Sequence, residues 1–207
     1  MKNDLLAFER TAIEQLPIAD ADVSLHHQVE LGQCYDELLR ELIDHTVWQQ
    51  EEIILYGKAY RQPRLSAWYG SKESVYTYSG ITLRPLPWNQ TLLNIKARVE
   101  SIVAQGFNSV LLNYYRDHRD SMGMHSDDES ELGKRPVIAS LSLGEERTLL
   151  LRHRYRKDIT TIKIPLPSGS MLVMKGDTQR YWKHGIAKQN HSCGPRVNLT
   201  FRTILKN

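Results

Sequence analysis

Cysteine is scarce in this sequence. Its two cysteines, Cys34 and Cys193, lie far apart, and neither belongs to a CxxC pair. This usage argues against an oxidising environment, in which small domains are often held together by disulfides. The cysteine content therefore suits a protein of a reducing compartment.

Long hydrophobic runs are also missing. Because a membrane-spanning helix needs roughly 18 or more consecutive apolar residues, no membrane span is expected. In the first ten residues, charged side chains interrupt the apolar ones too early for a signal peptide. No internal repeat or low-complexity segment is visible. We therefore expect an intracellular protein without membrane association.

What the sequence does contain is typical of one globular domain. Its 207 residues are 41% hydrophobic and 25% charged, which is enough for a sizeable core. The formal net charge of +3 permits nucleic-acid binding but does not require it. The densest basic stretch, residues 152–157, holds four fixed positive charges around Tyr155. It fits either a solvated hairpin edge or a phosphate-contacting surface.

Hydrophobic periodicity divides the chain into helices followed by short strands. Residues 1–24 lack clear periodicity and predict a mobile or loosely docked arm. Apolar residues at helical spacing predict one helix over about 29–49 and a second helix that Asn89 can cap and Gly106 can end. From residue 109 onward, short alternating segments between Gly and Pro turns predict strands. This order indicates an α+β protein with a jelly-roll core braced by N-terminal helices.

Three residues from two separate stretches can bind a metal together. His125 and Asp127 are two residues apart, so on a strand their side chains point the same way. His184, 59 residues after His125, can complete a 2-His-1-carboxylate triad, which leaves open iron positions in non-haem Fe(II) oxygenases. An HxD pair or a lone histidine is weak by itself, and the prediction depends on what accompanies them.

The stretch at 195–202 indicates a second substrate that binds iron. On a strand, alternation puts its polar side chains on one face: Arg196, Asn198, Thr200 and Arg202. The residues between them are apolar. A guanidinium is a planar fork that matches a carboxylate, so a small dicarboxylic acid could bridge arginine and iron. 2-Oxoglutarate is the obvious candidate. If the strand stood alone, the alternative for the two arginines would be a solvated strand face.

Two other interpretations of these residues stay open. A zinc hydrolase could use the same three ligands around an activated water, although it would have no cosubstrate carboxylate for the paired arginines. A jelly-roll binding protein without catalysis would use His125 and Asp127 structurally, and failure to bind Fe(II) would favour it.

The chain resembles the AlkB family of Fe(II)/2-oxoglutarate-dependent nucleic-acid dealkylases. The matching stretches are residues 76–80, 113–115, 125–129, 139–143, His184 and 195–202. Among the branches, the chain most resembles that of the human homologue 2, which repairs double-stranded DNA. The resemblance implies a single catalytic domain over 25–207, with a double-stranded β-helix core at about 107–205 and a nucleotide-recognition lid at about 53–84.

The resemblance also implies Fe(II), 2-oxoglutarate and O2 as cofactors, with His125, Asp127 and His184 as catalytic iron ligands. The implied 2-oxoglutarate-binding residues are Asn113, Tyr115, Arg196, Asn198, Thr200 and Arg202. Arg202, assisted by Tyr115, would pair with the far carboxylate. Arg196 and the two asparagines would orient the end next to iron.

A damaged base, flipped out of the DNA, is the implied substrate. A flipped base needs flat surfaces for stacking and polar groups at its edge. By resemblance, Tyr78 would stack on one face of the base and His125 would flank the other, with Tyr76 and Asp128 near the polar edge. Packing in the core, with hydrogen-bonded hydroxyls, is the alternative for the two tyrosines.

Two further residues correspond to DNA contacts of the double-strand branch. Tyr56 occupies the place of a hydrophobic finger that wedges into the duplex, and Arg64 falls where that relative has an arginine beside DNA. A departure follows His184, because a basic triplet of that relative is replaced here by Gln189, Asn190 and His191. Duplex affinity should therefore be lower and sensitive to salt.

The sequence thus predicts oxidative demethylation of 1-methyladenine and 3-methylcytosine in DNA. Formaldehyde would be released, and 2-oxoglutarate would be converted to succinate and CO2. Methylated RNA or a small molecule is the alternative substrate. We expect a monomer located in the cytoplasm or nucleoid of a bacterium, or in the nucleus of a eukaryote.

Overall fold

A computed structural model of the chain describes residues 12–55, 58–74, 76–78 and 81–205. Its helices are α1 at Tyr35–His45, α2 at Gln90–Val103 and the short α3 at Thr178–Tyr181, and a 3-10 turn covers Ser130–Leu132. The strands, β1 to β15 in chain order, are Ile13–Leu16, Asp22–His26, Glu52–Leu55, Lys58–Arg61, Leu65–Gly70, Tyr76–Tyr78, Ile81–Leu83, Ser109–Tyr115, Met122–His125, Ile138–Gly144, Arg147–His153, Ile162–Leu166, Met171–Lys175, Trp182–Ile186 and Arg196–Arg202.

Two antiparallel sheets form the body of the molecule. The large sheet has seven strands in the order β1-β2-β13-β10-β15-β8-β5, and the small sheet has four in the order β12-β11-β14-β9. Leu172 of the large sheet is buried in one apolar cluster with Leu151 and Trp182 of the small sheet. The two sheets therefore pack face to face around a shared core. The predicted α+β fold with a jelly-roll core is confirmed.

The helices cover the outer face of the large sheet. Leu38 of α1 and Val99 of α2 are buried in a second apolar cluster with Leu112 of β8 and Leu199 of β15. Because side chains alternate along a strand, burying the apolar residues of β15 against the helices turns its polar residues toward the small sheet. The packing of the helices thus fixes which way the polar face of β15 points.

Both predicted helices are present, with different ends. α1 is shorter than the predicted 29–49. Asn89 caps α2 as predicted, because its side chain accepts a first-turn backbone N–H at 2.9 Å. The helix stops before Gly106, at Ala104, whose left-handed backbone has a φ of 54°. Within the described ranges, no helix is long and apolar enough to cross a lipid bilayer.

The N-terminal boundary predicted at residue 24 differs from the structure. β1 pairs with β2, and β2 pairs with β13, so both strands belong to the large sheet. Val23 and Leu25 are buried and anchor this edge. Two apolar residues in one short strand give too little periodicity to predict it, and the strand that pairs with it lies far along the chain. Residues 1–11 lie outside the described residues.

Candidate metal and 2-oxoglutarate site

Two strands of the small sheet bring the predicted metal-binding residues together. His125 ends β9 and lies opposite His184 of β14 in the antiparallel register. Their ring centroids are 4.3 Å apart, and Asp127 follows in the loop after β9. One ligand atom from each of the three residues lies within 4.8 Å of the others. This spacing allows all three to bind one metal ion.

The two carboxylate oxygens of Asp127 have different environments. Arg202 donates from Nη2 to Oδ1, whereas Oδ2 is buried without a hydrogen-bond partner and lies 3.6 Å from Nε2 of His184. Burial alone would raise the pKa of Asp127, but the charge of Arg202 and the neighbouring histidines outweighs it and lowers the pKa. A buried ionised oxygen without a partner is costly, and beside two imidazoles it fits a metal ligand.

The two histidines are held in forms that can bind a metal. Nδ1 of His125 lies 3.0 Å from the carbonyl oxygen of Gly123, so a proton on Nδ1 is donated there and Nε2 is left for the metal. Burial lowers the pKa of His184 to about 4. Its imidazole is therefore neutral at pH 7, which is the form that binds metals.

Gln179, which sequence reasoning missed, holds the loop that carries Asp127. It lies in α3, and its Oε1 accepts the backbone N–H of Asp127 at 3.0 Å. Its Nε2 contacts Sδ of Met174 at 3.5 Å. Nothing in the local sequence marks this glutamine, because the residue it binds lies 52 positions away.

We expect Gln179→Leu to weaken metal binding roughly 10- to 100-fold, the usual effect of removing a group that orients a metal ligand. Without its acceptor, the backbone N–H of Asp127 no longer fixes the carboxylate. Titration of metal-free protein with Mn(II) measures the change. Gln105→Leu is the control, because Gln105 is exposed and binds the adjacent carbonyl of Gly106. Equal affinities for Gln179→Leu and wild type would contradict this role.

The polar face of β15 lines a narrow cavity next to the metal-binding residues. The structure brings Tyr115 together there with Arg196, Asn198, Thr200 and Arg202. Arg196 is only 1% exposed. Its Nη2 donates to Oγ of Ser142 at 2.9 Å, but its Nε and Nη1 have no partner. A buried guanidinium with two unpaired donor atoms is suited to hold a carboxylate.

The two arginines lie at opposite ends of this cavity. Arg202 contacts Asp127 and therefore lies at the metal end. Arg196 lies at the other end of β15, with Cζ 5.1 Å from the ring centroid of Tyr115. Strand alternation predicts the face on which a side chain lies, but not its distance from a metal.

Arg64 and Asn113 meet in a neighbouring cavity. Nε of Arg64 donates to Oδ1 of Asn113 at 2.7 Å, and Nη1 lies 3.4 Å from the carbonyl oxygen of Ser121. Burial lowers the pKa of Arg64. This guanidinium is therefore turned toward Asn113, a predicted cofactor-binding residue, and its predicted position beside DNA stays a prediction.

This second cavity has a volume of about 470 Å³ and reaches Arg202 at the metal end of the first. Trp68 and Glu129 also line it. Oε2 of Glu129 is buried without a hydrogen-bond partner, and burial raises the pKa of its carboxyl group. Glu129 was not among the predicted site residues, although it lies two positions after Asp127.

Asp128 connects the metal-binding loop to the basic stretch 152–157. It is exposed, and it accepts a hydrogen bond from Nη1 of Arg154 at 2.7 Å. Tyr155, the next residue of the basic stretch, is 64% exposed. The structure therefore brings part of the basic stretch to the rim of the metal site.

Two hairpins of the predicted lid lie outside the two main sheets, whereas β5, in the middle of the predicted range 53–84, pairs with β8 and belongs to the large sheet. β3 pairs with β4, and β6 pairs with β7. Tyr76 and Tyr78 lie at the two ends of β6. Tyr56 lies outside the described residues, as do the side chains of Tyr76 and Tyr78. Their roles toward a base or a duplex therefore stay predictions.

The arrangement of ligands and arginines matches a known family. The family model described as "2OG-Fe(II) oxygenase superfamily" matches residues 25–202. The chain belongs to this superfamily. The cofactors of this oxygenase fold are Fe(II), 2-oxoglutarate and O2, and the residues fit them. Oδ2 of Asp127 lacks a partner where iron would bind, and Arg196 has unpaired donors where a carboxylate would bind.

Curated relatives narrow the family to the AlkB homologues. The chain is 46% identical over 177 residues to "Alpha-ketoglutarate-dependent dioxygenase alkB homolog 3" of Mus musculus, covering 82% of this chain and 61% of the relative. It is 36% identical over 187 residues to "DNA oxidative demethylase ALKBH2" of Homo sapiens, covering 87% and 71%. The chain thus spans about three-fifths of the alkB homolog 3 length.

These relatives confirm the resemblance to the AlkB family. Sequence identity is higher with alkB homolog 3 than with ALKBH2. The comparison therefore does not favour the predicted homologue 2 branch over the homologue 3 branch. The solved structure of OsALKBH1 has a TM-score of 0.63 at 16% identity and covers 93% of this chain and all of that chain. This likeness supports the fold alone.

Proposed function

We propose that this oxygenase demethylates 1-methyladenine and 3-methylcytosine in DNA, releases formaldehyde and converts 2-oxoglutarate to succinate and CO2. One observation carries the proposal. The unpaired oxygen of Asp127 lies close to His125 and His184, beside an arginine-lined cavity and next to a second cavity of about 470 Å³. The name of ALKBH2, a DNA oxidative demethylase, supports the reaction class.

In the mechanism we propose, His125, Asp127 and His184 hold iron, and Arg202 orients Asp127 through its other oxygen. Bound iron, 2-oxoglutarate and O2 would supply the oxidation that converts an N-methyl group to N-hydroxymethyl. The hydroxymethyl group then breaks its C–N bond to give formaldehyde and the unmodified base. No protein nucleophile is needed for that step, which agrees with the burial-raised pKa of the Cys193 thiol.

The orientation we propose for 2-oxoglutarate follows the positions of the arginines. Arg196 would hold the far carboxylate with its two unpaired donor atoms. The near end of 2-oxoglutarate would lie at the Arg202 end, beside the residues that would hold iron. Asn198, which donates to Ser140 at 2.8 Å, would line the cavity wall between them.

The larger cavity supports a base as substrate. Its volume of about 470 Å³ falls within the range of roughly 300–1,000 Å³ that is usual for small-molecule sites. Both proposed bases carry a positive charge when methylated at the ring nitrogen. The carboxyl of Glu129 at the cavity wall, with Asp128 at the rim, would suit such a cation. The basic stretch beyond Asp128 would contact phosphates.

The test is formaldehyde release from methylated oligonucleotides. We expect release from single-stranded DNA containing 1-methyladenine or 3-methylcytosine, only when Fe(II) and 2-oxoglutarate are both present. The same lesions in duplex DNA, in RNA and as free nucleosides complete the set. Faster release from RNA or from nucleosides than from either DNA would reject DNA as the substrate. No release from any of them, despite 2-oxoglutarate binding, would reject base demethylation.

A further inference from the structure

Arg147, the first residue of β11, is a buried cation with no role in the proposed reaction. Its side chain is 1% exposed and donates to three backbone carbonyl oxygens: Asp117 at 3.3 Å, Asp120 at 2.9 Å and Ala187 at 2.6 Å. Its Nε has no hydrogen-bond partner. Among the described residues, no carboxylate lies within ion-pair distance of this guanidinium.

The three carbonyl oxygens belong to chain segments that carry the proposed site. Two come from the loop between β8, which bears Tyr115, and β9, which bears His125. The third belongs to Ala187, the residue directly after β14, and β14 bears His184. Arg147 therefore ties together the ends of three strands around the cosubstrate cavity.

Arg147 and Arg196 share one aromatic ring. Cζ of Arg147 lies 5.5 Å from the ring centroid of Tyr115, and Cζ of Arg196 lies 5.1 Å from it. Burial lowers the pKa of Arg196, and the charge of Arg147 acts in the same direction. Attraction to the ring is modest compared with the cost of burying two cations.

The carboxylate in the loop beside Arg147 does not neutralise this pair. Both oxygens of Asp120 are held by Arg116, through Nε at 2.8 Å and Nη2 at 2.9 Å. Asp120 offers Arg147 only its backbone carbonyl. Two buried guanidiniums thus face Tyr115 with no carboxylate of their own among the described residues, which favours binding of an anion at this end of the cavity.

We propose that Arg147 is a positioning residue for 2-oxoglutarate: it holds the ring of Tyr115 and the loop after it in place, and it adds a second positive charge behind the far carboxylate. This proposal rests on the proposed function. The consequence is selectivity, because the extra charge favours a dicarboxylic 2-oxo acid over one that lacks the far carboxylate.

The experiment compares two 2-oxo acids of equal chain length. Anaerobic calorimetric titration of the Mn(II)-loaded protein would use 2-oxoglutarate and 2-oxopentanoate, in which a methyl group replaces the far carboxylate. We expect Arg147→Met to weaken 2-oxoglutarate binding roughly tenfold, the size expected for one charge acting over several ångströms at an effective dielectric constant of about 20. Binding of 2-oxopentanoate should not change. Arg147→Lys should keep most of the selectivity because it keeps the charge.

Arg116→Met is the matched control, because Arg116 braces the same loop through Asp120. This variant should keep the wild-type preference for 2-oxoglutarate over 2-oxopentanoate. Unchanged 2-oxoglutarate binding in Arg147→Met, or equal weakening of both acids, would overturn the proposal in favour of a purely structural brace. If Arg147→Met does not fold, loss of selectivity in folded Arg147→Lys would overturn it equally. Failure of the wild type to bind 2-oxoglutarate would instead reject the proposed function.

Discussion

Alanine at His125, Asp127 or His184 is expected to reduce 2-oxoglutarate-dependent formaldehyde release to background while the domain stays folded. Each variant removes one of three ligand atoms that lie within 4.8 Å of one another, and two ligands do not hold iron in the required geometry. Mn(II) titration measures metal binding, formaldehyde release measures activity, and circular dichroism checks the fold.

The three variants should differ in one respect. Asp127→Ala also removes the carboxylate that Arg202 contacts, whereas the two histidine variants leave that ion pair intact. We therefore expect the metal-free Asp127→Ala protein to melt at the lowest temperature of the three. His27→Ala is the control, because His27 is an exposed histidine that contacts Glu14 at 3.2 Å, outside the metal cluster. Substantial activity in any ligand variant would mean that the assigned triad is wrong.

The parts of the site that lie on one strand could be predicted from the sequence. Alternation in β15 put Arg196 and Arg202 on one face, and burial of Leu199 against the helices explains why that face points into the protein. The spacing of His125 and Asp127 is also local, although only His125 lies on a strand and Asp127 lies in the loop that follows it. Such predictions can be made from a local sequence pattern, because the direction of alternate side chains depends only on the geometry of the strand backbone.

The parts that depend on distant partners could not be predicted in this way. Gln179 acts on Asp127 across 52 positions, and Arg64 turns inward because Asn113, 49 positions away, accepts from it at 2.7 Å. β2 belongs to the large sheet only because β13 pairs with it. A sequence shows which groups are available, whereas the partners that orient them are fixed by topology.

Substitution of the two arginines of β15 should separate cosubstrate binding from metal binding. We expect Arg196→Met to weaken 2-oxoglutarate binding on the order of 100-fold, since losing one partner of a buried charge pair costs about 2–5 kcal/mol. Metal binding should change little, because Arg196 lies beside Tyr115 and Ser142 rather than beside the ligands. Arg196→Lys should rescue poorly, because an ammonium lacks the bidentate fork.

Arg202→Met should instead change the metal site first. The charge of Arg202 helps to hold the pKa of Asp127 below its usual value, so its removal raises that pKa and more of the carboxylate is protonated as the pH falls. Mn(II) binding by Arg202→Met should therefore be lost at a higher pH than in wild type, whereas Arg196→Met should follow the wild-type pH profile. Titrations of both variants with Mn(II) and 2-oxoglutarate across acidic pH measure this difference. The opposite result would be that Arg202→Met weakens only 2-oxoglutarate binding and Arg196→Met weakens Mn(II) binding. Arg202 would then hold the far carboxylate, as the family resemblance implies.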